Sequence, residues 1–370
     1  MKCARMSGLY IHIPFCGSRC PYCDFSFVVR KDHHAERYVN ALLKEFRKRT
    51  AGNRPQYDTI FFGGGTPSEI DPQFLNDILA EVQSVADLSS RIEITAEANP
   101  EDRDHFYPIR ESGVNRLSLG VQALDNESLK ALGRRHSKES ALAAYGSARR
   151  AGFDNINIDL IFGAPDQSRL DWENTLDRAI ELDPEHFSVY GLTIERDTAF
   201  DRRRKKGQLS LPTEGVQADM YEAAVERLGE SDYIQYEISN FSKPGKACRH
   251  NIACWERHPY LGIGLSAHSF LNGCRTWNNR DLMAYIEKVE STGLAIEEEE
   301  IISDESEQLE QIMLGLRRPD GIPEELTRHA TKLDDLLESR LIERTNGRIR
   351  LTPPGLLLAD LVCAELVKEL

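Results

Sequence analysis

The stretch Leu9–Phe25, LYIHIPFCGSRCPYCDF, decides how the rest of the chain is read. Cys16, Cys20 and Cys23 form a C-x3-C-x2-C triplet packed into eight residues. Leu9–Ile13 ahead of it is a β-branched and aromatic run that predicts a strand. Pro14, with no N–H to give to a ladder, stops that strand. Three thiols therefore sit on a tight loop at the exit of the first strand. Three thiolates can hold three corners of a cubane [4Fe–4S] cluster and leave the fourth iron open to an external ligand. Zinc usually takes four ligands in paired clusters, and the nearest extra candidates, His33 and His34, lie beyond a predicted element. Zinc and a disulfide rank well below the cluster.

Moving outward, Ala35–Arg49 predicts an amphipathic helix, with Tyr38, Leu42 and Phe46 at helical spacing. Five further strands are predicted at Thr59–Phe62, Arg91–Ala98, Arg116–Val121, Ile156–Phe162 and His186–Leu192, with helical stretches between them. Repeated βα units imply a parallel sheet with right-handed crossovers. Polar and glycine residues fall at the C-terminal ends of these strands, the edge where sites form in barrel-like α/β folds. The fold class read from this pattern is α/β, a partial six-stranded βα barrel. Past residue 200 the pattern changes: Glu214–Leu228 reads as a helix, and Cys248–Trp255 (CRHNIACW) is an odd polar segment. From Ile301 onward, helices, a short strand Gly347–Leu351 and a last helix from Pro354 resemble a winged helix. The domain reading is 1–235 for the barrel, 236–300 for a connecting segment and 301–370 for the winged-helix-like unit.

The chain has 370 residues, 40% hydrophobic and 29% charged, which suits a globular protein with a sizeable core. Its net charge of −14 argues against nucleic acid as the main partner. The basic run Arg202–Lys206 and the acidic run Glu297–Glu300 read as solvated faces. No apolar run is long enough to span a membrane. The N-terminal MKCARMSGLY has no signal-peptide pattern, and eight cysteines with three clustered suit a reducing cytoplasm.

Gly63-Gly64-Gly65-Thr66 can bring bare backbone close to a ligand, and no Lys-Ser or Lys-Thr follows to make it a phosphate loop. Glu97 stands at a strand end where a carboxylate can accept from sugar hydroxyls. Taken singly, Glu97 and Asp159 also suit ordinary caps, Gln122 a loop partner and Arg134 a surface ion pair. Six such positions on one barrel edge favour a site.

With Tyr22 just before its last cysteine, the triplet resembles that of the radical S-adenosylmethionine (SAM) superfamily. There the open iron chelates the amino and carboxylate groups of SAM, on the same barrel fold. The likeness extends through LYIHIPFC, CPYCDF, FFGGGTPS, EANPE, RLSLGVQ, LGRRHS, NIDLIFGAP, MYEAA, YEISNF and CRHN, in that order. Together these resemble the oxygen-independent coproporphyrinogen oxidase family over nearly the whole chain. By that resemblance Tyr10, Gly64 and Glu97 match positions that hold a first SAM. Gly65, Thr66, Gln122, Arg134 and Asp159 match a second, SAM-like set.

Two branches of that family differ here. The dehydrogenases carry a fourth cysteine where this chain has Phe25, and a longer extension before the motif, whose first cysteine here is residue 16. Both departures point to the HemW-type haem-chaperone branch. That branch has an HN-x2-YW segment, matched here by His250-Asn251-Ile252-Ala253-Cys254-Trp255 with Cys254 in place of the tyrosine. An imidazole can ligate haem iron, so His250 beside Trp255 is the candidate haem ligand, titrating near 6.5 if unperturbed. A buried structural histidine ranks second. Zinc on Cys248, His250, Cys254 and His258 ranks third, because the spacing matches no common site.

The resemblance implies a cytoplasmic protein that binds a [4Fe–4S] cluster, SAM and haem. It would deliver haem to a haem-accepting protein, respiratory or membrane-associated, acting singly or as a dimer. No residue is assigned a catalytic role. The rival is radical decarboxylation of coproporphyrinogen III. A winged-helix regulator with a sensor cluster is third, disfavoured by the acidic charge.

Overall fold

Six apolar runs become the six parallel strands at the centre of the molecule: β1 (Gly8–Ile13), β2 (Gln56–Gly64), β3 (Asp87–Ala98), β4 (Arg116–Gln122), β5 (Ile156–Phe162) and β6 (His186–Gly191). The structure, a computed structural model, describes residues 8–29, 32–328 and 330–368. Cys3 and the rest of the N-terminal MKCARMS lie outside the described residues. The crossovers run through helices Ala35–Thr50, Pro72–Val85, Phe106–Glu111, Lys138–Arg150 and Arg169–Glu181. Tyr38, Leu42 and Phe46 bury one face of the first of these. Asp71 caps the second by accepting from the Gln73 N–H, with Pro72 at its first position. Ser168 and Asp171 close a reciprocal capping box on the fifth.

The sheet does not stop at six strands. On the β1 side it continues through Tyr260–Ile263, parallel to β1, then antiparallel through His268–Leu271, Cys274–Asn278 and Ile296–Ile301. On the β6 side, Asn240–Ser242 and Ile234–Glu237 add an antiparallel pair. The acidic run Glu297–Glu300 is thus part of an edge strand, where charge deters pairing with a second chain. Arg202–Lys205 belong to the helix Ala199–Lys205. The odd polar segment folds as the helix Arg249–Trp255, seated against β2 and β3 near the N-terminal edge of the barrel.

One hydrophobic core runs from Leu9 to Ala295 and a second gathers Ile312, Leu316, Ile322, Ile349, Val362 and Leu366. The second lies under helices and a three-stranded sheet of Ile322–Pro323, Arg348–Leu351 and Ile342–Thr345, a winged-helix-like unit. It meets the barrel through Arg317, which pairs with buried Glu237 at 3.0 Å and covers the Trp255 ring at 4.7 Å. Arg257 answers from the other side, 2.7 Å from Glu307 and 2.9 Å from Glu310. Among the described residues no helix is long and apolar enough to cross a membrane.

Candidate functional site

The cysteine loop is held where the pattern of strands predicts, at the C-terminal ends of β1 and β2. Gly65 N–H donates to the Ile13 carbonyl and Thr66 N–H to the Phe15 carbonyl, both at 2.8 Å. Only glycine allows this approach: a Cβ on Gly65 would lie 2.6 Å from the Phe15 oxygen, and Gly64 takes φ +114°. Cys16 Sγ lies 3.4 Å from Thr66 Oγ1, and Arg134 donates to Cys20 Sγ at 3.5 Å. All three thiols line one cavity. Burial pushes Cys16 up to about 12 and Cys23 up to about 11, so these two thiols are protonated until a metal binds.

Among the described residues no three His, Cys, Asp or Glu side chains converge on a point suited to a single metal ion. Zinc with Zn–S bonds of about 2.3 Å would need sulfurs within about 4 Å of one another. In a cubane each thiolate holds a different iron. The donor set therefore fits a cubane with three protein ligands better than zinc. Phe25, where a fourth thiol would stand, is 63% exposed at the lip.

Below the lip the cavity, about 460 Å³, is lined by Gly64, Gly65, Thr66, Glu97, Gln122, Arg134 and Asp159 among others. Seven of the nine residues expected to bind organic cofactors thus share it with the cysteines. Arg134 is pinned by Asn99 Oδ1 at 2.6 Å and the Gly120 carbonyl at 3.0 Å, which places it in the cavity wall rather than in a surface ion pair. Gln122 ends β4 in the left-handed region at φ 68°, and its Oε1 is buried without a partner among the described residues. Such a conformation and such an orphan are features of ligand sites. Glu97 accepts from the Gly64 N–H at 3.1 Å. Burial, then the nearby Asp159, push its carboxyl up to about 8. Asp159 is also raised by burial, although it accepts from Asn157 at 2.7 Å and Ser118 at 3.3 Å.

Tyr10 and His250 stand apart from this lining. Tyr10 stacks on Phe61 with centroids 6.3 Å apart and bonds His12 Nδ1 at 3.0 Å. His250 is buried beneath the barrel: its Nδ1 lies 2.8 Å from Thr59 Oγ1, and its backbone N–H donates to Glu93. The ring beside it is Phe61, at 5.2 Å, whereas Trp255 lies under Arg317. Burial pushes the His250 imidazole down to about 4, well below the 6.5 of a free side chain. Its neighbour Asn251 does reach the cavity. Cys254 is half-buried, and burial pushes its thiol up to about 11.

Sequence reasoning missed further polar residues of the cavity: Arg116 and Ser118 on β4, Asn157 on β5, Ser188 and Tyr190 on β6. His186 joins them, bonding Asn157 Oδ1 at 2.6 Å and Tyr236 OH at 2.7 Å. A signal was present. In RLSLGVQ, INIDLIF and HFSVYG the polar residues alternate at period two. In parallel strands covered outside by helices, the polar side of that alternation must face inward.

Residues 10–179 match the model of the Radical SAM superfamily. A heme chaperone HemW from Bacillus subtilis (strain 168) is 35% identical, covering 99% of this chain and all of that one. A heme chaperone HemW from Escherichia coli (strain K12) is 40% identical over 70% of this chain and 69% of its own. Among solved structures, the coproporphyrinogen III oxidase HemN from Escherichia coli superposes with a TM-score of 0.86 at 24% identity, covering 99% of this chain and 91% of that one.

Proposed function

This chain belongs to the HemW family of radical SAM proteins, and from that premise we propose that it is a haem chaperone. In this reading Cys16, Cys20 and Cys23 hold one [4Fe–4S] cluster, the cavity wall from Gly64 to Asp159 holds SAM, and bound haem passes to an acceptor protein. The cluster, when bound, offers an open iron to the amino-acid end of SAM. The chain's own residues do the rest. Gly64 and Gly65 let the backbone approach, Glu97 accepts from the ribose hydroxyls, and Arg134 braces Cys20 against the ends of the strands.

The observation that carries this reading is a cavity with three thiols at its lip and exposed Phe25 where a fourth would be. For His250 to reach haem iron, its ring must leave Thr59 and Phe61. The Arg249–Trp255 helix, clasped by Arg317 on Trp255, is the element that has to move. The deciding experiment reconstitutes the cluster without oxygen, then measures haem binding and coproporphyrinogen turnover on the same sample. Stoichiometric haem binding without vinyl product is expected. Robust decarboxylation without haem binding would restore the dehydrogenase reading.

A further inference from the structure

Arg116 is 2% exposed, yet it lines the cavity and makes no ion pair or hydrogen bond among the described residues; its Nε is buried with no partner. Thr95, its register partner on β3, likewise has a buried Oγ1 with no partner. A buried guanidinium whose Nε–H finds no acceptor is costly, and native proteins seldom keep one without use. Glu93 and Asp159 place negative charge around it, but both are committed elsewhere. Glu93 accepts from the Arg249 and His250 N–H groups and from Cys248, and Asp159 from Asn157 and Ser118. Asn157, Ser118 and Ser188 are knit together around them, with Ser188 Oγ donating to Asn157 Oδ1 at 3.2 Å.

We propose that Arg116 is the anchor of a carboxylate subsite in the floor of the barrel, and that its occupant is a haem propionate. This rests on the haem-chaperone reading of the same cavity. The planar guanidinium fork matches a carboxylate in two parallel bonds. The floor also suits the second reactant rather than the first. The SAM carboxylate belongs at the iron, by the lip, whereas Arg116 opens β4 and Gln122 closes it. At about 3.3 Å per residue the two ends of that strand are roughly 20 Å apart. Asn251, beside His250, reaches the same cavity, so the one segment that marks the haem-chaperone branch borders the subsite.

The test titrates protein carrying a reconstituted cluster with four probes: ferric haem, haem dimethyl ester, SAM and decarboxylated SAM. Arg116→Met should lose about ten- to a hundredfold in haem affinity, the value of a charge-assisted bond. It should lose nothing towards the dimethyl ester, and its thermal melt should stay level or rise. A loss confined to SAM, and missing with decarboxylated SAM, keeps the carboxylate subsite but assigns it to an amino-acid carboxylate. Equal affinities of wild type and variant for all four probes would overturn it. If the variant does not fold, the wild type decides: a ratio near one within both probe pairs refutes the subsite. Wild type that binds no haem refutes the chaperone reading, and the SAM pair still judges Arg116 separately.

Discussion

Glu97 offers the sharpest test of the cavity, through Glu97→Gln followed across pH. An unfolded glutamate titrates near 4.3, and in the fold this one is pushed up to about 8. Between those values the native state binds more protons than the unfolded state, so stability falls as pH rises and levels off above about 8. A displacement of roughly 3.5 units corresponds to about 5 kcal/mol. The carboxyl faces the cavity, where water relieves part of that cost, and Asp159 shares the titration, so roughly 2–5 kcal/mol is the expected range. Urea unfolding of wild type and Glu97→Gln at pH 5.5, 7 and 8.5 reads it directly, with the variant gaining on the wild type at each step. SAM binding gives a second readout of opposite sense. The ionised carboxylate is the better acceptor for ribose hydroxyls, so at pH 8.5 the variant should bind SAM more weakly by about 1.5–3 kcal/mol, and near pH 6.5 the two should converge. Parallel stability slopes, together with equal SAM affinities at pH 8.5, would refute both the raised carboxyl and its place beside the ribose.

Alanine at Cys16, Cys20 or Cys23 should abolish the bound cluster, measured as iron content and absorbance after reconstitution, whereas alanine at Cys274 or Cys363 should leave both unchanged. Haem titrations of His250→Ala and Cys254→Ala should separate imidazole from thiolate ligation by the Soret band; an unchanged spectrum and affinity in His250→Ala makes His250 a barrel-floor residue only. Haem ligation needs the His250 ring out of the buried seat that holds it down at about 4, so haem bound through the released imidazole should weaken as pH falls through about 6.5, and binding unchanged from pH 7 to pH 5 would count against that release. Arg317→Met leaves the Glu237 carboxylate buried and uncompensated, so it should destabilise the protein by about 3 kcal/mol; a melting temperature equal to that of wild type would count against the clasp.

The cysteine loop, its strand and the glycine turn that receives it were legible because their signals are local. Spacing, a proline stop and a turn that tolerates only glycine all lie within a few residues of the atoms they place. The six parallel strands were legible for the same reason, as apolar runs spaced by amphipathic helices. The outer strands were not. Glu297–Glu300 reads as a solvated run because nothing near it in the chain announces Cys274–Asn278 as its partner, and strand pairing is a non-local bond. His250 shows the same limit in chemistry: the sequence can say that an imidazole is present, but Thr59 and Phe61 of β2 enclose the ring, and that burial, then Arg116, holds it neutral. Arg116 and Glu97 complete the contrast. Their charges are written in the chain, but the cost of keeping them, and hence their use, comes from a barrel that withdraws water from side chains lying far apart in sequence.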